Sequence, residues 1–473
     1  MVWRGMVAVQ STMDRTNEER SRALRAIPSL DALLRRVEGS TLPRALVVRE
    51  ARAFLDEVRE DVLHGRLAVG DVEHRCSTPA VEEIVSERCR RAQTARHRRV
   101  VNATGVVLHT GIGRAPLAAS AILALQDAAG YAIVEIDAET GKRNQREETV
   151  AGLLCELLGV GGALVVNNNA AMTALVLGAL APGREVVVSR GELVEIGGGF
   201  RMPDVMAATG CKLVEVGTTN RTRAQDYEKR IGSTTAMLLK VHPSNFRMEG
   251  FTAAATLQEI ATLARRSGIL ACEDLGSGLL VDQAIQGLED EPRVRASVSS
   301  GVHLVWFSGD KLLGGPQCGI LVGEQDLVAQ VRAHPLYRAF RCDKLKLAAL
   351  EATLRIYRDG DPVMEIPTLR LLAEPVQRLE ARAMEFRQRL GTGRVVASES
   401  FAGSGANPAR PLPSFALALP GGGSLVEALR TVPRIPVFAR VVADEALLDL
   451  RTLVLEDLDE IVALVRSVTQ KPT

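Results

Sequence analysis

The chain has 473 residues and a mass of 50.9 kDa, more than one ordinary domain of roughly 100–200 residues. Its 58 Lys+Arg against 57 Asp+Glu leave a net charge of +1, which excludes a protein that holds nucleic acid by bulk charge alone. With 46% hydrophobic and 24% charged residues, disorder as the main state is excluded, and 3% aromatics are too few for a run of base-stacking platforms.

The opening segment, MVWRGMVAVQSTMDR, lacks the apolar core of a secretory signal. The ordered chain is expected to begin at Met13 rather than Met1, after a loose tail over residues 1–12. Residues 1–90 carry helical patterns. In RALVVREARAFLDEVREDVLHGRL, Leu46, Val47, Ala51, Phe54, Leu55, Val58 and Leu63 recur near the helical period with charges between them. This predicts a small helical domain over 1–90. The arginines of SERCRRAQTARHRRVV (Arg88, Arg90, Arg91, Arg96, Arg98 and Arg99) then read as a solvated helix face or linker, with a nucleic-acid patch as the alternative, and the linker itself is expected over 91–100.

From about residue 100 short β-branched runs alternate with helical ones: GGALVV, REVVVS, CKLVEV, TTAMLLKV, GILACED and VHLVWFS. Strands buried on both faces with helical crossovers predict an α/β domain over 91–343 with a mostly parallel central sheet and flanking helices. Ligands gather at the C-terminal ends of such strands. Beyond 343 a long helical stretch, a Gly/Pro/Ser-rich passage (SESFAGSGANPARPLPSF) and short strands predict a small C-terminal α+β domain over 344–473. No apolar run reaches the roughly 18–20 residues of a membrane span. The cysteines (76, 89, 155, 211, 272, 318, 342) are odd in number, scattered and without a CxxC pair. They suit a reducing, cytoplasmic setting and indicate no metal site. Cys155, Cys272 and Cys318 read as small core residues.

The chemistry is expected where lysine, rare in this chain, meets an apolar strand end. Lysines occur only at 142, 212, 229, 240, 311, 344, 346 and 471, and Lys311 follows a buried strand in VWFSGDKLLGGPQCG. Desolvation there lowers an amine's pKa, so the neutral form can act as nucleophile or base. Asp274 ends the strand of GILACEDLGSG, where a carboxylate can keep a pyridinium nitrogen protonated. The run GALVVNNNAAM places Asn168, Asn169 and Ala170 at a helix start, whose free N–H groups and dipole suit a phosphate. Ser308, three residues before the lysine, adds a hydroxyl. Together these match pyridoxal 5′-phosphate, with Lys311 as Schiff-base lysine and proton shuttle. A dinucleotide site is disfavoured because no GxGxxG follows the first strand.

The motifs VVNATGVVLHTGIGRAPL, VVVSRGELVEIGGGFRMPDVM, GCKLVEVGTTNRT, KVHPSNFRMEGF, SGDKLLGGPQCGI and HPLYRAFRCDKLKLAALEATLR resemble bacterial selenocysteine synthase, the L-seryl-tRNA(Sec) selenium transferase family. The resemblance implies the pyridoxal-phosphate fold type I, with Lys311 as cofactor lysine. It implies that Arg114, Arg338 and Arg341 bind anionic substrate, and that the N-terminal helical domain recognises tRNA. Gly111-Ile112 departs from the Asn-Leu that many members carry. The implied reaction eliminates water from seryl-tRNA(Sec) to an aminoacrylyl intermediate, then adds selenium from selenophosphate to give selenocysteinyl-tRNA(Sec). The implied assembly is a homo-oligomer, a decameric ring of dimers, without a membrane. A lyase or aminotransferase acting on a free small amino acid or amino sugar is the alternative. Arg338 and Arg341 are expected on one face at the start of a single helix, and His109, His242, Glu192, Glu195 and Asn245 stand as further loop candidates.

Overall fold

A computed structural model describes residues 17–37, 42–403, 405, 410–453 and 458–469. The expected loose tail and the choice between Met1 and Met13 lie outside the described residues. The chain divides into two compact units, residues 1–99 and 100–473.

The first unit is helical, with helices Leu30–Arg36, Arg44–Leu63, Val69–Arg75 and Thr78–Gln93 after a helical segment over 17–26. Ser29 caps the first of these by accepting from the Ala32 amide at 3.2 Å. In Arg44–Leu63 the buried stripe is Val47, Ala51, Phe54, Leu55, Val58 and Val62. Leu63, assigned to the apolar face from sequence, is 47% exposed. The 3.6-residue period brings Val62, one position earlier, under the core. Arg88 pairs with Glu57, and Arg90 and Arg91 pair with Glu87, so these members of the arginine run lie on a charge-laced helix face.

The second unit begins with two short strands, β1 (Val101–Asn102) and β2 (Val106–Leu108). There follow β3 (Gly162–Val166), β4 (Glu185–Ser189), the small pair β5 (Glu195–Ile196) and β6 (Phe200–Arg201), then β7 (Lys212–Val216). Next come β8 (Thr235–Val241), β9 (Leu270–Gly276), β10 (Leu304–Ser308) and β11 (Gly319–Gly323). The central sheet has seven strands in the order β3-β11-β10-β9-β8-β4-β7. All neighbours are parallel except β11, which runs antiparallel to both β10 and β3.

Leu164, Val166, Trp306, Leu321 and Leu239 face helix Asn169–Leu180 on one side of this sheet. Val165, Phe307 and Ile320 pack with Leu154 and Leu354 on the other. Both faces are thus buried, which explains the unbroken apolar runs of these strands. Helix Lys344–Asp359 contributes Leu347, Leu350 and Leu354 to this second cluster, so it covers the central sheet.

The remaining strands are β12 (Arg394–Gly403), β13 (Leu412–Pro420), β14 (Val437–Phe438), β15 (Arg440–Val442) and β16 (Glu445–Asp449). They form a five-stranded sheet in the order β15-β16-β13-β12-β2, while β1 pairs in parallel with β14. Residues 101–108 therefore belong structurally with the C-terminal strands, a long-range pairing that local patterning does not carry. Asp449 is fully buried in this lobe. It accepts from Ser398, Ser400 and Ser414, each at 2.8 Å, and from Arg440 at 3.0 Å.

Candidate active site

A cavity of about 190 Å³ opens at the C-terminal ends of β3, β8, β9 and β10. Its lining includes Lys311, Asp274, Asn168, Asn169, Ala170, Ser308 and Arg114. Residues between 114 and 311 meet there because parallel strands deliver their ends to one edge of the sheet.

Asp274 is the best-held member. Its carboxylate accepts from the Asn169 side-chain amide at 2.8 Å and from the Thr173 hydroxyl at 3.0 Å. The Trp306 indole N–H in turn donates to the Thr173 oxygen at 3.0 Å. Burial nonetheless pushes the Asp274 carboxyl above its ordinary value, against the hydrogen bonds from Asn169 and Thr173 that lower it. Lys311 is 7% exposed, the desolvated setting expected for it after a buried strand. Burial pushes its ammonium down, while Asp274 and Asp310 pull the other way. An anion-leaning pocket thus retains an amine biased toward its neutral, nucleophilic form.

Helix Asn169–Leu180 starts at the same cavity. Asn168 caps it, accepting from the Ala171 amide at 2.9 Å, and the Asn169 and Ala170 amides at the first turn have no helical acceptor. The buried side-chain oxygen of Asn169 has no hydrogen-bond partner. β11 crosses close behind: a Cβ at Gly319 would lie 2.7 Å from the Asn168 carbonyl carbon. From the other lobe Gly405, at φ +82°, lies against Lys311, where a Cβ would come within 2.8 Å of its Cδ. Only glycine fits there.

Pyridoxal 5′-phosphate fits this arrangement. It finds a desolvated amine, a buried carboxylate in need of a cationic partner, a helix start for its phosphate, and an orphaned amide oxygen. Arg114 adopts the left-handed φ of 62° and donates to Asp310 at 2.7 Å, within the cavity. A non-glycine residue held there is strained, a common mark of a functional site.

Arg338 and Arg341 are not brought into this cavity. Arg338 is exposed on the short helix Leu336–Phe340; Arg341 caps that helix in extended geometry, and the next helix begins at Lys344. They do not share one helix face, because Asp343 caps a new helix by accepting from the Leu345 and Lys346 amides. Backbone bonds dock the segment on the end of β3: Asn167 N donates to Phe340 O at 2.8 Å. The Arg341 side chain lies 3.7 Å from Glu135. His109 caps the 3-10 turn Thr110–Ile112 and does not line the cavity, whereas His242 does. Glu195 pairs with exposed Arg201, and Asn245 donates to the Glu195 carbonyl at 2.6 Å. Cys272 and Cys318 are buried and Cys155 half-buried.

Thr173, Trp306, Asp310, Ser244 and Gln317 were missed by sequence reasoning. Asp310 could have been found beside Lys311, and Thr173 by its place one turn after Asn169 on the same helix face. Ser244 and Gln317 carry no local signal.

The family model for L-seryl-tRNA selenium transferase matches residues 100–454. The chain belongs to that family. The L-seryl-tRNA(Sec) selenium transferase of Moorella thermoacetica is 47% identical over 449 residues, covering 91% of this chain and 93% of that protein. The enzyme of the same name from Hyphomonas neptunium is 45% identical over 461 residues, covering 94% and 98%. Among solved structures, D-glucosaminate-6-phosphate ammonia-lyase aligns with a TM-score of 0.56 at 22% identity, over 79% of this chain and 96% of that one. This likeness supports the fold, pyridoxal-phosphate fold type I. Among the described residues, no helix of this selenium transferase family member is long and apolar enough to cross a membrane.

Proposed function

We propose that the chain converts L-seryl-tRNA(Sec) to L-selenocysteinyl-tRNA(Sec) with pyridoxal 5′-phosphate as cofactor and selenophosphate as selenium donor. The observation that carries this reading is the convergence of Lys311, Asp274, Asn169 and Ser308 on one cavity, in a chain of this family. Bound there, the cofactor would supply an electron sink for the charge that develops at the seryl Cα. Lys311 holds the cofactor and moves the proton: its Nζ takes it from the seryl Cα and returns it after selenium has entered at Cβ. Asp274, fixed by Asn169 and Thr173, holds the ring-nitrogen proton. The start of helix Asn169–Leu180 and the Ser308 hydroxyl hold the phosphate.

The substrate's carboxyl is esterified, so no arginine is needed for a free α-carboxylate. Arg114, already in the cavity, suits an anionic donor through charge-assisted bonds. Arg338 and Arg341 lie outside this cavity, and it is the resemblance that offers them for the anionic substrate. The helical unit recognises the tRNA, with 91–100 joining it to the catalytic core and 344–473 completing that core. A cytoplasmic homo-oligomer, the decameric ring of dimers that the resemblance implies, is part of the proposal.

The test incubates purified protein with seryl-tRNA(Sec) and selenophosphate and assays the amino acid on the tRNA. Selenocysteine is expected with the natural chain, and none with Lys311→Ala, which also loses the absorbance of lysine-bound cofactor. Turnover of free serine or an amino sugar in place of seryl-tRNA would favour the lyase or aminotransferase alternative.

A further inference from the structure

We propose that a second cavity, sharing His242 with the Lys311 cavity, receives the 3′-terminal nucleoside of the aminoacylated RNA. The proposal rests on the seryl-tRNA reading above and names the part of that substrate which a neighbouring site must hold.

Covalent geometry comes first. Serine is joined through its ester to the terminal ribose, so the sugar lies only a few bonds from the carbon that reacts. A site for ribose and base must therefore share a wall with the Lys311 cavity. The second cavity, of about 390 Å³, does so through His242. This volume falls in the roughly 300–1,000 Å³ range of small-molecule sites. β8 places His242, whose backbone N–H donates to the Asp274 carbonyl at 2.9 Å.

The walls suit a nucleoside. Pro243, Phe246 and Met248 form an apolar side, and Phe246 and Met248 are 38% and 37% exposed. Such a surface suits the flat face of an unstacked base. Several polar groups of the cavity are already satisfied among themselves. Lys240 donates to Glu192 at 2.8 Å and to the Ala255 carbonyl at 3.0 Å. The Ser189 and Thr222 hydroxyls bond each other at 2.7 Å.

Two groups are not satisfied. Glu291 is 3% exposed and one of its carboxylate oxygens has no hydrogen-bond partner, with His242 Nε2 standing 3.6 Å away. The buried Nε of Arg221 also lacks an acceptor, and its guanidinium sits 3.6 Å from the Phe251 ring centroid. A buried acceptor asks for an N–H or O–H, as on a base amino group or a ribose hydroxyl. A planar cation asks for a phosphate oxygen. A nucleoside with an amino-bearing base, preceded by a phosphodiester, presents all three.

The experiment uses the full-length, cofactor-loaded protein and the variants Ala254→Phe and Glu291→Gln. Ala254 is an exposed residue of the cavity wall, so a larger side chain fills the space without entering the core. Base stacking is worth about 1–3 kcal/mol, and about 1.4 kcal/mol is a factor of ten. Ala254→Phe is thus expected to raise KM for seryl-tRNA by about fivefold or more, with cofactor absorbance unchanged. Adenosine 5′-monophosphate is expected to compete with seryl-tRNA, and to do so more weakly in both variants. Should Glu291→Gln lower the melting temperature, Ala254→Phe alone decides.

Selenocysteinyl-tRNA formation with KM unmoved in Ala254→Phe would overturn the proposal, and with it would stand a cavity that serves free nucleotides if the monophosphate still binds. Equal binding of the monophosphate to natural protein and Ala254→Phe in equilibrium dialysis would also overturn it. If the natural protein makes no selenocysteinyl-tRNA at all, the functional reading fails instead, a result the dialysis measurement does not share.

Discussion

Asp274 is where stability and chemistry pull in opposite directions. Its carboxyl is raised by burial, so in the cofactor-free protein the ionised form is the disfavoured one. The destabilisation is present above the raised folded-state value and absent below the unfolded value near 3.8. Asp274→Asn is therefore expected to raise the melting temperature of the cofactor-free protein at neutral pH, and the gain should shrink as the solution is acidified toward the unfolded value. An amide there keeps an oxygen for Asn169 and turns its amino group to the Thr173 hydroxyl, so the packing survives. The same change should abolish turnover, because a neutral amide does not hold a ring-nitrogen proton. Thermal melts across pH, set beside tRNA assays, check both halves. Lys311, Asp274 and the asparagines are legible from sequence because each sits at a strand-to-loop change in a buried run. Trp306 is not, since an apolar strand gives no sign that one of its members carries a hydrogen-bond relay, and Thr173 shows itself only once Asn169, one turn earlier on the same helix, has been placed in the site.

At the scale of elements, the short helix Leu336–Phe340 and its cap carry the arginine pair. If both arginines hold the selenium donor, Arg338→Ala with Arg341→Ala removes two charge-assisted bonds of roughly 1.5–3 kcal/mol each. Selenium addition should then slow by about a hundredfold or more, with water loss from the seryl group preserved. Quenched reactions would show tRNA-linked material that has lost water without gaining selenium; unchanged seryl-tRNA at saturating tRNA would remove the pair from donor binding. In the C-terminal sheet, Asp449 gathers hydroxyls from β12 and β13 and the Arg440 guanidinium from β15. Asp449→Ala strands a half-buried cation and should cost about 3–5 kcal/mol, read as a lower urea midpoint. Strand positions in the central sheet follow from β-branched runs flanked by glycine. β11 carries the same pattern, but its reversed direction depends on a tight turn after Lys311 that no periodicity reports.

The whole molecule is two units, and the boundary at 99/100 falls beyond helix Thr78–Gln93. A cut at 90 would sever that helix; a cut after residue 99 keeps the catalytic unit whole. The chain without residues 1–99 is expected to load cofactor normally but to bind seryl-tRNA(Sec) weakly. In the full chain that binding should fall steeply with added salt. Filter binding across a salt series checks this, and equal affinity of the two proteins would refute tRNA recognition by the helical unit. The helical unit is legible because its apolar stripe is local. The membership of residues 101–108 in the C-terminal sheet is not, because it depends on partners far along the chain.

That pairing also sets an order of events during synthesis. Val106 lies opposite Phe401, and 401 − 106 = 295 residues separate them. A ribosome adding roughly 5–20 residues per second needs about 15–60 s to deliver the partner of a strand it made near the start. Gly405, which closes over Lys311, emerges only after that. The nascent chain thus carries its reactive lysine uncovered until translation is nearly over, and a message truncated before residue 400 encodes an amine with no roof.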